Sequence, residues 1–308
     1  MTGLVVVEIV RAGLCDLVVD QGRPGYEHLG VPRGGAADPA ALAVANRLAG
    51  NDATAAGLEL AYTGPALRFP QGGTVAITGA CFAATRSDGT AVKWNETLVL
   101  KPGEVLDLGA AREGCRCWLA FRGGLEVPLV MGSRSTFLPA GFGGLQGRSL
   151  CHGDVLRLGE AAAGQRLLRA VAPAGQTDNC LRVIAGPQAG LFDDTGLAAF
   201  FSGTFRVASA SDRRGLRLNG TALSRAGTEL PSQGVLPGVV QVPPDGRPII
   251  LGWDGPVTGG YPVIAGVIRA DWPRLAQLRP GDAVRFVTVE VEAARALAAA
   301  QWEIGEQT

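Results

Sequence analysis

Short apolar runs separated by turn residues make up most of the chain. Leu4 to Val10, Thr74 to Thr78, Thr97 to Leu100, Cys117 to Phe121, Leu181 to Ile184, Val239 to Val242, Pro248 to Leu251 and Ala283 to Val289 are rich in Val, Ile and Leu and bounded by Gly, Pro or Asp. Runs of this kind predict strands joined by tight turns. Helical periodicity is confined to a few places. Over Asp38 to Leu48, Asp38 is placed to cap, Pro39 fits the first turn and Gly50 can terminate. Two further helices are expected, over Glu290 to Gln301 and near Trp272 to Leu278. The fold class is therefore mainly β, with a few short helices.

One phrase recurs. Lys101-Pro102-Gly103-Glu104-Val105-Leu106-Asp107-Leu108, Cys151-His152-Gly153-Asp154-Val155-Leu156-Arg157-Leu158 and Arg279-Pro280-Gly281-Asp282-Ala283-Val284-Arg285-Phe286 each read as a turn followed by alternating apolar residues. Each is expected to open a barrel strand with one face to the core, although Gly-Asp turns occur in any β protein. Thr63-Gly64-Pro65-Ala66-Leu67-Arg68-Phe69 and Ala185-Gly186-Pro187-Gln188-Ala189-Gly190-Leu191-Phe192 form a fainter echo. The expected organisation is two related β-barrel domains, residues 1–165 and 180–308, the second carrying the C-terminal helix, with the boundary in the stretch Glu160 to Asn179.

Composition narrows the functional classes. The 308 residues carry 28 basic and 28 acidic side chains, so no global field points to nucleic acid or an anionic membrane surface. The start Met1-Thr2-Gly3-Leu4-Val5-Val6-Val7-Glu8 has no basic segment and reaches an acid too soon for a signal-peptide core, which predicts a cytoplasmic protein. No charge-free apolar run free of Gly and Pro approaches the roughly 18 to 20 residues of a membrane span. The six cysteines show no Cys-x-x-Cys, and only His28 and His152 could add imidazole, so no metal site is expected. Motifs for a P-loop, a dinucleotide fingerprint and a Gly-x-Ser-x-Gly elbow are absent.

Candidate chemistry lies where polar side chains stand among glycines. Arg23, within Gly22-Arg23-Pro24-Gly25-Tyr26, projects a guanidinium from a constrained turn and suits a carboxylate or phosphate; an ion pair with Asp20 or Asp38 is the structural alternative. Arg134 lies among Ser133, Ser135 and Thr136, whose hydroxyls can polarise a substrate or close backbone turns. Arg148 follows the glycine-rich loop 141–147. In the second half, Arg213 follows Ser211-Asp212, and Gln241 and Asp254 end strands in a way that would place both at one barrel rim. Asp254 could orient or deprotonate a nucleophile, or cap a turn, while Thr258 and Tyr261 flank Gly259-Gly260. His28 is a further proton-transfer candidate.

Taken in order, these blocks resemble the biotin-dependent carboxyltransferase-like family that includes the second allophanate-hydrolase-related subunit, the C subunit of 5-oxoprolinase and the carboxyltransferase region of urea amidolyase. The carrying residues are Asp20 to Tyr26 with Gly30-Val31-Pro32, Ala45 to Leu48 with Gly50-Asn51, Gly132 to Thr136, Gly147-Arg148, Gly153-Asp154, Gly186-Pro187-Gln188, Ser211 to Arg213, Gln241 to Pro244 and Thr258 to Pro262. The family's cyclophilin-like β-barrels agree with the repeat. This chain departs from the usual family pattern at Asp16 to Val19, at Gly34-Gly35-Ala36-Ala37, at Gln233 and at Pro256-Val257.

The resemblance implies one component of an ATP-dependent 5-oxoprolinase-type amidohydrolase, active only in complex. Its close partner would be a 5-oxoprolinase B-type protein, with an A-type protein in the full system. ATP would be used through a partner, with no cofactor held by this chain. In that reading Asp254, Ser135 and Thr258 are catalytic, and Arg23, Tyr26, Arg134, Arg148, Arg213, Gln241 and Tyr261 bind substrate. Two alternatives accompany it: carboxyl transfer from carboxybiotin on another protein, since no Met-Lys-Met-like biotinyl site appears here, and non-catalytic neutralisation of a kinase inhibitor.

Overall fold

The computed structural model describes residues 5–164, 166–171, 180–224, 230–299 and 303–307. The chain divides into two compact units, one of Met1–Arg23, Gly34–Pro173 and Trp302–Thr308, the other of Pro24–Arg33 and Ala174–Gln301. The proposed domain boundary falls partly at residues 172–179, outside the described residues.

In the first unit the strands are β1 (Val6–Arg11), β2 (Cys15–Val19), β3 (Gly57–Ala61), β4 (Ala66–Phe69), β5 (Gly73–Gly79), β6 (Thr85–Arg86), β7 (Thr97–Leu100), β8 (Glu104–Asp107), β9 (Arg116–Phe121) and β10 (Val155–Arg157). They form two five-stranded sheets, ordered β10-β1-β4-β8-β6 and β2-β3-β9-β5-β7. Alternating residues from both sheets, among them Ile9, Leu67, Phe69 and Leu106 from one and Leu58, Leu60, Ile77 and Leu119 from the other, share one core. Helix α1 (Pro39–Ala49) covers the other face of the sheet that contains β5 and β9, where Val44, Ala45 and Leu48 pack with Ala76 and Ala120.

Helix α1 forms as its sequence predicts. The Asp38 carboxylate accepts from the amides of Ala40 and Ala41, both at 3.0 Å, Pro39 occupies the first turn, and Gly50 closes the helix at φ 79°. Burial pushes the Asp38 carboxyl up to about 6 against those two amide bonds.

The second unit holds β12 (Cys180–Ala185), α2 (Asp194–Ser202), β13 (Phe205–Val207), β14 (Gly215–Asn219), β15 (Gln233–Gly234), β16 (Val239–Gln241), β17 (Ile249–Leu251), β18 (Thr258–Gly259), β19 (Val263–Val267), α3 (Trp272–Gln277), β20 (Ala283–Thr288) and α4 (Val291–Ala298). Seven of these strands close a barrel in the order β12-β19-β16-β17-β14-β13-β20. An aromatic stack of Phe200 on Phe286, centroids 4.4 Å apart, with Phe205 beside both, joins α2 to the barrel. The expected helix over 290–301 ends at Ala298, and its last two residues lie outside the described set. Helix α2 has no counterpart in the sequence reading; its signal is Asp193, whose carboxylate caps the amide of Gly196 at 2.7 Å.

Two short strands complete the first unit: β11 (Leu168–Val171) pairs antiparallel with β21 (Glu303–Glu306). The recurring phrase proves to be one device used three times. Gly103, Gly153 and Gly281 sit at φ 80°, 87° and 92°. Their amides donate to Phe69, Ile9 and Val207 on neighbouring strands, and Glu104, Asp154 and Asp282 accept the amide three residues back. A residue with a Cβ is strained at that φ, which is why glycine recurs. The fainter echo is not structural: Gly64-Pro65 leads into β4, whereas Gly186-Pro187 leaves β12 for a 3₁₀ turn at Ala189–Leu191.

Candidate functional site

In the first unit the glycine-rich loops converge on Asp20, which follows β2. Its Oδ1 accepts from Ser133 Oγ and Ser135 Oγ, both at 2.6 Å, and from the Gly22 amide at 2.8 Å; Oδ2 accepts from the Arg134 amide at 2.5 Å. The Asp20 amide in turn donates to Ser135 Oγ at 2.8 Å, and its carbonyl accepts from Ala36. Asp20 thus ties residues 20–22 and 133–135 together through its carboxylate and residue 36 through its carbonyl. Thr136 closes the loop through Val18, whose carbonyl accepts from both its amide and its hydroxyl. The hydroxyls of Ser133, Ser135 and Thr136 are committed to the loop itself.

The predicted arginines separate sharply. Arg23 is fully buried, donates to the Ser135 carbonyl and lies 4.9 Å from the Phe142 ring centroid, so it props loops 133–136 and 141–147 from beneath. Space there is so tight that a Cβ at Gly144 would come within 1.9 Å of Thr136 Oγ1. Arg148 is forked onto Asp154 at 2.7 and 2.8 Å, which holds the Asp154 carboxyl below its ordinary range. Arg134 is half-buried with its backbone fixed by Asp20 and its Nε donating to the Val127 carbonyl at 3.1 Å; its terminal nitrogens have no hydrogen-bond partner among the described residues. Of the predicted arginines of this unit it is the one whose terminal nitrogens are open to an anion.

In the second unit, Arg213 and Asp254 form a buried fork, Nε to Oδ2 at 2.7 Å and Nη2 to Oδ1 at 3.2 Å. Both Asp254 oxygens are therefore engaged. The expectation that Gln241 and Asp254 share a rim is corrected by the register. Strands β16 and β17 are antiparallel, with Gln241 opposite Ile249, so Gln241 ends one strand where the next begins. Asp254 follows Leu251, at the opposite end of that hairpin. Successive antiparallel strands finish at opposite ends.

Gln241 instead belongs to an end built from amides. Its Nε2 donates to the Tyr261 carbonyl at 3.2 Å and it lies against Gly259, where a Cβ would meet Nε2 at 2.7 Å. Thr258 is exposed and pairs through Gly234 in the β15–β18 ribbon, and Tyr261 is 44% exposed. Beside them Gln188 and Gln233 bond reciprocally, each Nε2 to the other's Oε1 at 3.1 Å. Tyr26 and His28 sit in and beside the 3₁₀ turn Glu27–Leu29, Tyr26 half-buried with its carbonyl accepting from Leu29 and Val31, and His28 exposed. The sequence reading missed Asp20 as the organiser and the Gln188–Gln233 pair, although each stands in a motif it singled out. Among the described residues no group of three or more His, Cys, Asp or Glu side chains could hold a metal ion, and no helix is long and apolar enough to cross a membrane.

Comparison with known proteins gives a consistent result. The profile of the carboxyltransferase domain, subdomain A and B, matches residues 29–288. The chain is 42% identical over 289 residues to the C subunit of 5-oxoprolinase from Escherichia coli (strain K12), covering 94% of this chain and 93% of that protein. It is 34% identical to the C subunit of 5-oxoprolinase from Haemophilus influenzae, over 91% of this chain and 90% of that protein. Among solved structures, Kluyveromyces lactis urea amidolyase superposes with a TM-score of 0.88 at 31% identity, covering 94% of this chain but 19% of that one. The protein TTHA0988 gives 0.83 at 36% identity, covering 92% of this chain and 56% of that one.

Proposed function

The chain belongs to the carboxyltransferase-domain family, subdomain A and B, and from that premise we propose that it is the C-type subunit of an ATP-dependent 5-oxoprolinase-type amidohydrolase. The observation that carries this reading is the match to the C subunit of 5-oxoprolinase over nearly the whole of both chains. A urea amidolyase match is confined to a small part of a much longer protein, 17% of it in the case of Lachancea kluyveri.

In this reading an A-type or B-type partner transfers the terminal phosphoryl group of ATP to the lactam oxygen. Water then adds to the activated ring carbon, the C–N bond breaks as the ring nitrogen takes a proton, leaving the open-chain acyl phosphate, and a second water hydrolyses that acyl phosphate to glutamate and inorganic phosphate. This chain binds the ring and stabilises charge in cytoplasmic complex with a B-type close partner. Arg134 is the anion-binding residue, for the substrate carboxylate or the phosphoryl oxygens. Ser135 acts by fixing Arg134 through Asp20, and Arg213 fixes Asp254, which orients the loop after β17. Thr258, Gln241 and Tyr261 stand together at one end of the second unit and are assigned to substrate contact there. The two units are the two cyclophilin-like domains of the family.

The test is 5-oxoproline-dependent ATP turnover and glutamate release by this chain, alone and with the proteins encoded beside it. Release in the full mixture alone is the expected result; no release from any mixture overturns the reading. An Arg134→Ala complex that turns over at the wild-type rate would remove Arg134 from it. A second reading, carboxyl transfer from carboxybiotin, is favoured by the likeness to urea amidolyase, and recovery of a biotinylated partner with the chain would favour it over the first.

A further inference from the structure

The reciprocal bond between Gln188 and Gln233 is an unusual pairing for two half-buried side chains, and its asymmetry is informative. Gln188 is anchored to the barrel by two bonds of its own and one from the turn that carries it. Its backbone amide donates to the Val263 carbonyl at 3.2 Å, its Oε1 accepts from the Val263 amide at 3.1 Å, and Gly186, two residues earlier, donates to Ile264. Since a backbone amide can only donate, the Val263 contact fixes which atom of the Gln188 side chain is oxygen. Its Nε2 then faces Gln233. Gln233 stands on the two-residue strand β15, and its side chain bonds only to Gln188 among the described residues. One amide is tied to the barrel backbone, the other only to that amide.

The two amides meet edge to edge, each offering one N–H and one C=O on the same side. A secondary amide presents that edge only when it is cis. An open-chain peptide-like amide is trans, with N–H and C=O pointing opposite ways, whereas a small lactam ring forces the cis form. A lactam therefore carries the same donor and acceptor pair as the Gln233 side chain. Ring opening destroys it, because the product has a carboxylate and an amine in its place.

We infer that Gln188 is the specificity-determining residue that reads the cis-amide edge of a lactam, with Gln233 occupying that edge until the ring displaces it. The identity of the ring as 5-oxoproline rests on the oxoprolinase reading; the cis-amide recognition does not. Gln241, holding the Tyr261 carbonyl, keeps the adjoining loop in place while the exchange occurs.

The experiment follows the Gln188 and Gln233 side-chain amide signals by ¹⁵N NMR in the full chain, assigned through Gln188→Ala and Gln233→Ala, during titration with 2-pyrrolidone, 5-oxoproline and N-methylacetamide. Both lactams should shift the Gln188 signal, and the acyclic amide should not. The two variants should move affinity for 2-pyrrolidone in opposite directions. Gln188→Ala should weaken it at least ~10-fold, while Gln233→Ala, which removes the internal competitor, should tighten it ~3- to 10-fold. Equal weakening in both variants would make the pair merely structural and overturn the inference, as would binding of N-methylacetamide as strong as that of 2-pyrrolidone. Turnover of 5-oxoproline by the complex is read separately. Turnover without any lactam shift at Gln188 sinks the inference and leaves the oxoprolinase reading standing. A shift with 2-pyrrolidone but no turnover does the reverse, and neither turnover nor shift overturns both.

Discussion

The Gly132–Thr136 loop of the first unit and the Gly252–Gly255 loop of the second unit each bring an acid and an arginine together from distant parts of the chain, Asp20 with Arg134 in one and Asp254 with Arg213 in the other. Their internal bonding is opposite. In the first, Asp20 spends its carboxylate on two hydroxyls and two backbone amides, and the Arg134 terminal nitrogens are left available. In the other, Asp254 takes both its bonds from Arg213, so acid and cation neutralise each other in the protein interior. A charged residue in a glycine-rich loop is therefore offered to a ligand only when the loop's own polar groups are satisfied by something else. That rule selects Arg134 over Arg23, Arg148 and Arg213.

The contrast is most exposed to failure at Asp254. Replacing it with Ala takes the forked carboxylate away from the buried Arg213 cation, and the loss of stability should be about 3–5 kcal/mol, against far less for the double substitution Arg213→Met with Asp254→Leu, which removes both charges. Denaturant unfolding of the two variants checks this; a cost below about 1 kcal/mol for Asp254→Ala would mean that the pair is not a structural brace. Next in size is Asp20→Asn. An amide keeps the shape but offers one acceptor oxygen where the carboxylate offered two, so some of the donors from Ser133, Ser135, Gly22 and Arg134 lose their partner. The expected cost is about 1.5–3 kcal/mol, with turnover of the reconstituted complex reduced through the displaced Arg134. If Asp20→Asn melts like wild type, the loop is held by its glycines rather than by the carboxylate.

How far the sequence could anticipate this depends on the reach of each interaction. Helix α1 and the three Gly-turns were legible because their determinants are local: Asp38 bonds amides two and three residues on, and each Gly-turn is closed within four residues. The Asp20 network was not, because Ser133 and Ser135 reach it from 113 and 115 positions away. Gln241 and Asp254 were misplaced for a related reason. Gln241 ends a strand and Asp254 follows one, but strand direction, which decides the end of the barrel each occupies, is set by pairing rather than by the residues beside them. The resemblance between Gly64-Pro65 and Gly186-Pro187 failed because identical turn chemistry serves strand entry in one case and strand exit in the other.

A smaller effect separates the core of the first unit from its loops. Asp16 is fully buried on β2, in register with Leu60, and Leu60 with Cys117; one oxygen accepts from the Gly13 amide at 2.5 Å and the other has no partner among the described residues. Burial pushes its carboxyl from 3.8 up to about 7, opposed by the Gly13 bond and by Arg11. The folded state therefore binds a proton more tightly than the unfolded one. This contribution to stability is complete below pH ~4 and is lost as pH rises through ~7. Asp16→Asn should raise stability at pH 8 by about 1–2 kcal/mol and leave it unchanged near pH 4, as urea midpoints at the two pH values will show. A parallel shift at both pH values would trace the effect to shape rather than to ionisation.

The least effect on stability should come from the residue assigned the most functional weight. Arg134 contributes its backbone amide to Asp20 and one Nε bond to the Val127 carbonyl, and the first survives any substitution that keeps the chain path. Arg134→Ala should therefore change the unfolding free energy by no more than about 0.5–1 kcal/mol, while turnover by the complex falls by roughly 100-fold or more, the scale expected when a charge-stabilising group is removed. Arg134→Lys should restore charge but not the fork, recovering part of the rate with a raised KM. A large stability loss in Arg134→Ala, comparable with that of Asp254→Ala, would place the two arginines in the same class. The distinction between a cation offered outward and a cation spent on the fold would then fail at the position where it matters most.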